Sequence, residues 1–578
     1  MKFLLALFFL TTNLMAQRGA DDLTYSQRRQ KWLNSVPQPK SSLPDDEKRL
    51  YFSAWLQKGI YNDVVSEGLR SIIGDFWMTG GRSHHGYLAA LLVKFGSKGM
   101  NLIDPQDELA IHGKYAQKLI LSSGVFEDIN PNKQMWAMAG VYIYTHYFNK
   151  NLSFPIYGRR VNSDNQQLMK KNWPSFSEGG NTYAFGDGPY KAKQLAEDYI
   201  KHQLKVLYLG GNREMDSLNY HRAYVGSMLL LYDMAEDQDL RRRARMGAEL
   251  AMLDAIMDYG GSEWGGTLGR TDFSRMEKES VFPFYEFFGV GQENDTRPDI
   301  KFLYTLSYEP PELLVDLAVL KDERDDYFHF HKENHNSTLK NASDKGKWNY
   351  VTPFYNLGSN VGGINSGWQA TVRGNRPGRF IRFWINASQD SDFNKKTETR
   401  YLGHGGRQFR NALFVDTGDK PIYHERLKSQ KWDSESVEDG WHFKRLNNVF
   451  VAIRLDQTTA SVEFALKGVD YDSKEDFKTA IKRYAFLTED SYTTSKGVTI
   501  EKNDYCGFEK PGDCPFPFKR METQSENGQI IQWSNNVMTV SYNGKSLVYD
   551  FKKWKADDPP ITDRPPDRPR NVRIRVGN

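Results

Sequence analysis

The sequence predicts a two-part protein, helical through its N-terminal half and β-rich through its C-terminal half, and three observations carry that reading. Between about residues 45 and 330, apolar residues recur at spacings of three and four, as helices that bury one face require. From Tyr350 onward, short alternating runs separated by turn residues replace them, the pattern of half-buried strands. The chain has 578 residues, 39% of them hydrophobic, enough for two or three domains with separate cores.

The N-terminus reads as a signal peptide over residues 1–16. Lys2 supplies a basic start, Phe3 to Leu10 an apolar core, and Ala16 a small residue ahead of Gln17. The expected location is therefore outside the cytoplasm, either periplasmic or secreted. No later stretch reaches the roughly 18 apolar residues that a membrane helix needs.

Helices are expected around Leu50–Leu56, Gly86–Phe95, Gln134–Phe148, Ala192–Leu209, Tyr220–Met234, Leu240–Tyr259 and Pro311–Leu320. They form a helical array without the strict period of a solenoid. Strands are expected at Arg379–Asn386, Ala412–Asp416, Asn448–Leu455, Ala460–Leu466, Ile530–Trp533, Val537–Tyr542 and Ser546–Phe551. Asn543-Gly544 marks a tight hairpin, and regularly spaced short strands of this kind indicate a β-sandwich. The expected division is a helical domain over 17–345, an antiparallel sandwich over 346–555, and an extended, charged, Pro-rich tail over 556–578.

Cys506 and Cys514 flank a Pro-Gly turn. In an exported chain they suggest a local disulfide, with two free thiols as the other reading. The net charge of +4 is too small for a nucleic-acid-binding stripe, yet it is compatible with a cleft that attracts a polyanion. Aromatic residues make 13% of the chain; they suit sugar stacking and a large core equally.

The segment Glu214-Met-Asp-Ser217-Leu-Asn219-Tyr220-His221-Arg222-Ala-Tyr224 carries the most chemistry. Asp216 or Ser217 can cap the helix that follows, which puts Tyr220 and His221 in its first turn. A helix start of this composition either lines a cleft or serves the fold alone.

Glu214-x-x-Ser217-x-x-Tyr220-His221-Arg222, with the apolar helix after it, resembles the Glu-x-Ser-x-x-Tyr-His-Arg segment of heparinase II/III-type polysaccharide lyases and their alginate-lyase relatives. One extra residue stands here between Glu and Ser. The resemblance implies an incomplete (α/α) toroid followed by a C-terminal antiparallel β-sandwich. It also implies β-elimination on a uronate-containing polysaccharide, with no cofactor required. In such lyases a tyrosine acts as acid and often as base, while Asn, Gln or His side chains neutralise the uronate carboxylate. That chemistry needs donors aimed at the charge that spreads into the carboxylate once the C5 proton leaves.

Carried over by position, Tyr220 matches the family tyrosine, and His221 and Arg222 follow it as groups that orient it or lower its pKa. Asn132, in Pro131-Asn132-Lys133-Gln134-Met135-Trp136, resembles the family's Asn-His helix start, with Lys133 where a His is common; a plain helix cap is its other reading. His404, in Tyr401-Leu-Gly403-His404-Gly405-Gly406-Arg407, is similar to the Gly-His segment before a strand ending in Asp-x-Gly, here with shorter spacing.

Substrate contacts are expected from Glu214, Arg222, Trp136, Tyr401 and Arg407. Trp264 and Arg270, on a Gly-rich stretch, can stack on a sugar face and pair with an anion, and His85 belongs to a cationic helix start. Arg373, Arg376, Arg379 and Arg382 form either a basic strand facing the cleft or an exposed face. His329-x-His331-x-x-x-His335, near Asp325, Asp326 and Glu333, includes a metal-ligand spacing, but a mixed charged surface is the simpler expectation. A structural divalent ion stays open, and the sequence sets no oligomeric state.

Neither a Walker loop, HExxH, GxSxG nor a dinucleotide fingerprint occurs in fitting context. Besides the lyase, two functions stay in view. One is a glycoside hydrolase on a helical toroid, which needs two opposed carboxyl groups, with Glu178, Asp187, Glu214 and Glu263 as candidates. The other is a non-catalytic glycan-binding protein.

Overall fold

Apolar spacing decides the helices. A computed structural model describes residues 22–78, 85–112, 131–148, 153–154, 176–178, 181–183, 190–210, 218–259, 282–291, 293, 298–319, 326–332, 346–361, 367–374, 379–387, 406–428, 430–502, 506–507, 521–525 and 527–556. The signal peptide, the tail and Cys514 lie outside them. The main helices are α1 (Tyr25–Ser35), α2 (Asp45–Gln57), α3 (Asp63–Met78), α4 (His85–Phe95), α5 (Pro131–Tyr147), α6 (Ala192–Gly210), α7 (Leu218–Met234), α8 (Gln238–Asp258), α9 (Phe284–Phe288), α10 (Pro298–Leu303) and α11 (Glu312–Val319). All seven expected helices are among them. No described helix is long and apolar enough to cross a membrane.

The helices pack around Trp55, Leu88, Met138, Val225, Leu253 and Phe302, all buried. The indole of Trp136 on α5 meets α7 at Gly226, and the Tyr147 hydroxyl donates to Met234 O at 2.9 Å. These two contacts make α5 and α7 parallel, with their starts at one end. In contrast, α8 runs antiparallel to α7, because His221 meets Asp254 while Met228 meets Gly247.

Two short strand pairs, Ser153–Phe154 with Tyr190–Lys191 and Phe176–Glu178 with Asn181–Tyr183, lie within the helical half. The strands of the two large sheets begin at Tyr327, ahead of the expected boundary at 346. They are β1 (Tyr327–Lys332), β2 (Gly346–Val351), β3 (Tyr355–Val361), β4 (Gly367–Arg373), β5 (Phe380–Ala387), β6 (Gly406–Phe409), β7 (Ala412–Asp416), β8 (Pro421–Lys428) and β9 (Ser434–Glu438). Next come β10 (Trp441–Leu446), β11 (Val449–Leu455), β12 (Thr459–Leu466), β13 (Cys506–Gly507), β14 (Glu522–Ser525), β15 (Gly528–Ser534), β16 (Val537–Tyr542), β17 (Lys545–Asp550) and β18 (Lys555–Ala556). One sheet has the order β8-β5-β4-β3-β2-β1-β14-β15-β16-β17-β18 and is antiparallel; the other has the order β9-β10-β11-β12-β7-β6-β13. Only β6 and β13 pair parallel among these neighbours, with Gln408 opposite Cys506. The hairpin at Asn543-Gly544 has φ of 49° and 73°, the left-handed backbone that a tight two-residue turn demands.

Period-two alternation assigns the faces of the large sheet. Phe328, Phe330, Trp348, Tyr350, Leu357, Ile381 and Phe383 pack against Leu413, Val451 and Val462 of the smaller sheet. The opposite face carries Tyr327, Val351 and Trp384, which join the helical core together with Ile531, Val540 and Phe551. The first strands of the large sheet are therefore buried on both faces, one against the second sheet and one against the helices.

Candidate functional site

Where the large sheet meets the helices, the apolar pattern is interrupted on every element. On α8, Leu250 to Met257 is a buried apolar run broken by Asp254, and Asp258 follows one turn later on the same face. On β1, His329 and His331 share the helix-facing side with Tyr327, and on β2 so do Lys347 and Asn349. The register sets His329 opposite Asn349 and His331 opposite Lys347. The Tyr327 hydroxyl donates to Met257 O at 2.7 Å and fixes the strand to the end of α8.

These side chains converge on Asp254. Its Oδ2 accepts from His221 Nε2 at 2.8 Å, and its Oδ1 accepts from His329 Nε2 at 2.9 Å and His331 Nδ1 at 2.8 Å. Lys347 Nζ stands 3.3 Å from the same Oδ1. Lys347 also donates to Asp258, which accepts a further bond from Asn349. His221, Asp254, Asp258, His329, His331, Lys347 and Asn349 are all buried. Two carboxylates at the C-terminal end of a buried helix oppose its dipole, so they persist only with donors of this number and charge.

The protonation states follow from the contacts. Burial alone would raise the Asp254 pKa, but its interactions with His331 and the Lys347 ammonium and the bonds from His221 and His329 outweigh it and hold the carboxyl well below the usual range. Burial lowers the His331 pKa more than Asp254 raises it, so the imidazole is neutral at neutral pH. An ionised Asp254 only accepts, which makes Nδ1 the protonated nitrogen of His331 and Nε2 that of His329. The second nitrogen of His329, Nδ1, lies 2.9 Å from the Thr523 hydroxyl.

Asp254, Asp258 and His329 bring donor atoms within 4.8 Å of one another, close enough for a metal ion. The Lys347 ammonium, bonded to Asp258 and 3.3 Å from Asp254, already supplies a cation between the two carboxylates. The mixed charged surface expected around His329 and His331 does not form, because strand alternation turns both rings inward. His335 lies outside the described residues.

The other sequence-derived candidates fall into three groups. Glu214, Trp264, Arg270, Tyr401 and His404 lie outside the described residues. Tyr220, Asn132 and His85 lie in the first turns of α7, α5 and α4, with their side chains outside the description. The remainder are placed in full. His221 is buried against Asp254, and Arg222 reaches Asp299 across 3.4 Å. Trp136 is only 3% exposed and is packed against Gly86 and Gly226, which leaves little of the indole to meet a sugar. Arg407, on the smaller sheet, donates from Nε to Lys502 O at 2.7 Å. The expected basic strand is split: Arg379 is exposed, whereas Arg373 bonds Asn356 and Arg382 bonds Thr371, both buried. Arg376 lies outside the description.

The start of α7 reaches the Asp254 cluster through His221. The starts of α5 and α7 lie at the end of the helical region where α8 terminates, just ahead of the 261–270 stretch. Gly406, the second residue after His404, is so close to Ser359 that an added Cβ would stand 3.1 Å from its hydroxyl. Ser359 pairs with Trp348, whose ring packs toward the smaller sheet, so this contact lies on the face of the large sheet opposite to Lys347 and Asn349. Comparison with known proteins returns no matching family model, curated protein or solved structure.

Proposed function

We propose that the chain is an exported polysaccharide lyase that cleaves a uronate-containing anionic polysaccharide by β-elimination, with an (α/α) toroid facing a β-sandwich. The observation that supports it best is the meeting on Asp254 of His221, the neighbour of Tyr220, with histidines and a lysine from the large sheet. That meeting brings the helix start resembling the lyase segment to the junction of the helical and β-rich parts. Two sheets with a shared apolar core fit the sandwich, and parallel α5 and α7 with antiparallel α8 fit a toroid.

In this reading Tyr220 exchanges the proton of the reaction, and Asn132 and His404 neutralise the uronate carboxylate. Glu214, Arg222, Arg270, Trp264 and Tyr401 contact the polymer. Donors aimed at the carboxylate stabilise the enolate-like transition state, in which negative charge moves from C5 into C6. A tyrosine can serve as acid or base where nearby cations lower its pKa.

The test mixes purified protein with a panel of uronate polysaccharides and follows the ultraviolet absorbance of the 4,5-unsaturated uronate. A rise with one polymer, abolished by Tyr220→Phe, is the expected result. New reducing ends without absorbance would show hydrolysis instead, and binding without new ends would show a glycan-binding protein.

A further inference from the structure

Aromatic residues make 13% of the chain, yet the described protein shows very few of them to water. Among the described residues only two Phe, Tyr or Trp side chains are exposed, Tyr484 at 52% and Phe486 at 65%, and they stand two residues apart. They belong to a cap on the outer side of the smaller sheet, made of the helix Lys474–Tyr484 and a three-stranded sheet of Phe486–Leu487, Ser491–Thr493 and Thr499–Glu501. Leu487, Tyr492 and Ile500 of the cap share one buried cluster with Phe414 and Phe450 of the smaller sheet. Alternation therefore turns Phe486, Thr493 and Thr499 outward, and the register sets these three in one row across the strands. The Thr493 and Thr499 hydroxyls are bonded to each other at 2.9 Å. At the adjoining helix end the exposed Arg483 guanidinium lies 5.1 Å from the centre of the Tyr484 ring, and among the described residues no carboxylate meets it.

We propose that Arg483, Tyr484, Phe486, Thr493 and Thr499 form a separate, non-catalytic binding surface for a uronate-containing polysaccharide chain; the choice of polymer rests on the lyase reading. Aromatic faces in water take the C–H face of a sugar ring, hydroxyls exchange hydrogen bonds with sugar hydroxyls, and an unpaired guanidinium takes a carboxylate or sulfate. Glu501 shares the outward face beyond Thr499 and repels anions, so the acidic group of the chain belongs at the Arg483 end. The two rings offer roughly 200–300 Å², well below the about 800 Å² per partner of a stable protein interface. An area of that size suits a slender glycan chain rather than a second protein. Both sheets stand between this surface and the Asp254 cluster, so a chain held here leaves the junction of helices and sheet free. Tethering the polymer at a second point keeps it near the enzyme between cuts and raises its effective concentration.

The experiment is affinity electrophoresis of the purified protein through gels holding alginate, heparan sulfate or glucuronan, with rates measured on the retarding polymer and on a tetrasaccharide cut from it. The double variant Tyr484→Ala/Phe486→Ala is expected to bind that polymer about 10-fold more weakly, the loss of an aromatic anchor. Arg483→Gln should lose part of the binding, and circular dichroism should stay native because all three side chains are exposed. Turnover of the tetrasaccharide should match wild type, while KM for the polymer rises. Unchanged retardation of the double variant would overturn the proposal, as would a wild type that none of the gels retards. An equal loss on the tetrasaccharide would overturn it too, and so would a wild-type dimer that the double variant splits into monomers, since the surface would then be an interface between copies. A wild type that binds without cleaving, with binding lost in the double variant, sinks the lyase reading and leaves the surface standing. An active wild type with an equally retarded double variant does the reverse.

Discussion

The ammonium of Lys347 bonds the carboxylate of Asp258, strand to helix, and neither side chain exposes any surface. Removing one member of a buried pair leaves an uncompensated charge and costs about 3–5 kcal/mol. Lys347→Met is therefore expected to lose stability of that order in urea unfolding. The double variant Lys347→Met/Asp258→Leu should recover part of the loss, since no charge remains at position 258, while Asp254 still lacks the ammonium that stood 3.3 Å from its Oδ1. A single variant as stable as wild type would mean that the pair does not hold strand to helix.

Acid should weaken the same junction, and the sign can be worked out group by group. The folded pKa of Asp254 is depressed, so its contribution is present above the ordinary aspartate value and is lost as pH falls towards the folded one. The folded pKa of His331 is also depressed, so the unfolded chain takes up that proton first as pH falls below about 6.5. Both groups make stability fall on acidification, His331 at the higher pH. Glu463 acts oppositely: burial raises its pKa against its bonds from Ser495 and Tyr492, and its contribution is lost as pH rises through the folded value. Melting temperatures across mildly acid to mildly alkaline pH check this. His331→Gln should flatten the loss between about pH 5 and 7, and Glu463→Gln should gain most at the alkaline end.

Close packing of α5 on α7 depends on a missing side chain. A Cβ at Gly226 would stand 2.7 Å from Trp136 Cζ2 and 2.9 Å from Cη2, inside any real contact. Gly226→Ala should cost about 1–3 kcal/mol through overpacking, read by denaturant unfolding with the indole fluorescence as probe. Adding Trp136→Phe should return part of the loss, because the smaller ring withdraws from that position.

Much of this fold was legible because periodicity reports burial of one face. The helix at Leu240–Tyr259 and the strand at Val537–Tyr542 were readable for that reason. The Asp254 cluster was not. Alternating Phe328-His329-Phe330-His331 and Lys347-Trp348-Asn349-Tyr350 have the pattern of strands with one wet face, and the sequence does not say that helices cover that face. Asp254 and Asp258 left a fainter sign, two acids one turn apart in an otherwise apolar helix end. The buried arginines show the same gap: Arg382 looks like a surface cation until Thr371 and the ring of Phe380 surround it. Tyr220-His221-Arg222 was singled out through resemblance, and Asp254, the acceptor that binds His221, lies 33 residues further along the chain.

His221 tests whether that acceptor matters to catalysis. Its Nε2–H is one of the donors that keep Asp254 ionised, and its backbone carries the residue next to Tyr220. His221→Ala removes the donor and frees the first turn of α7. A displacement of about 1 Å at a reacting group can cost up to ~10²-fold in rate, so kcat is expected to drop towards that extent while KM holds. Glutamine keeps an N–H that can reach the same oxygen, and His221→Gln should therefore retain more activity than alanine. Initial rates and KM for both variants, on the polymer that wild type cleaves, give the comparison. Equal kcat in His221→Ala and wild type, with Tyr220→Phe inactive, would detach Asp254 from the tyrosine and leave it a purely structural link between helices and sheet.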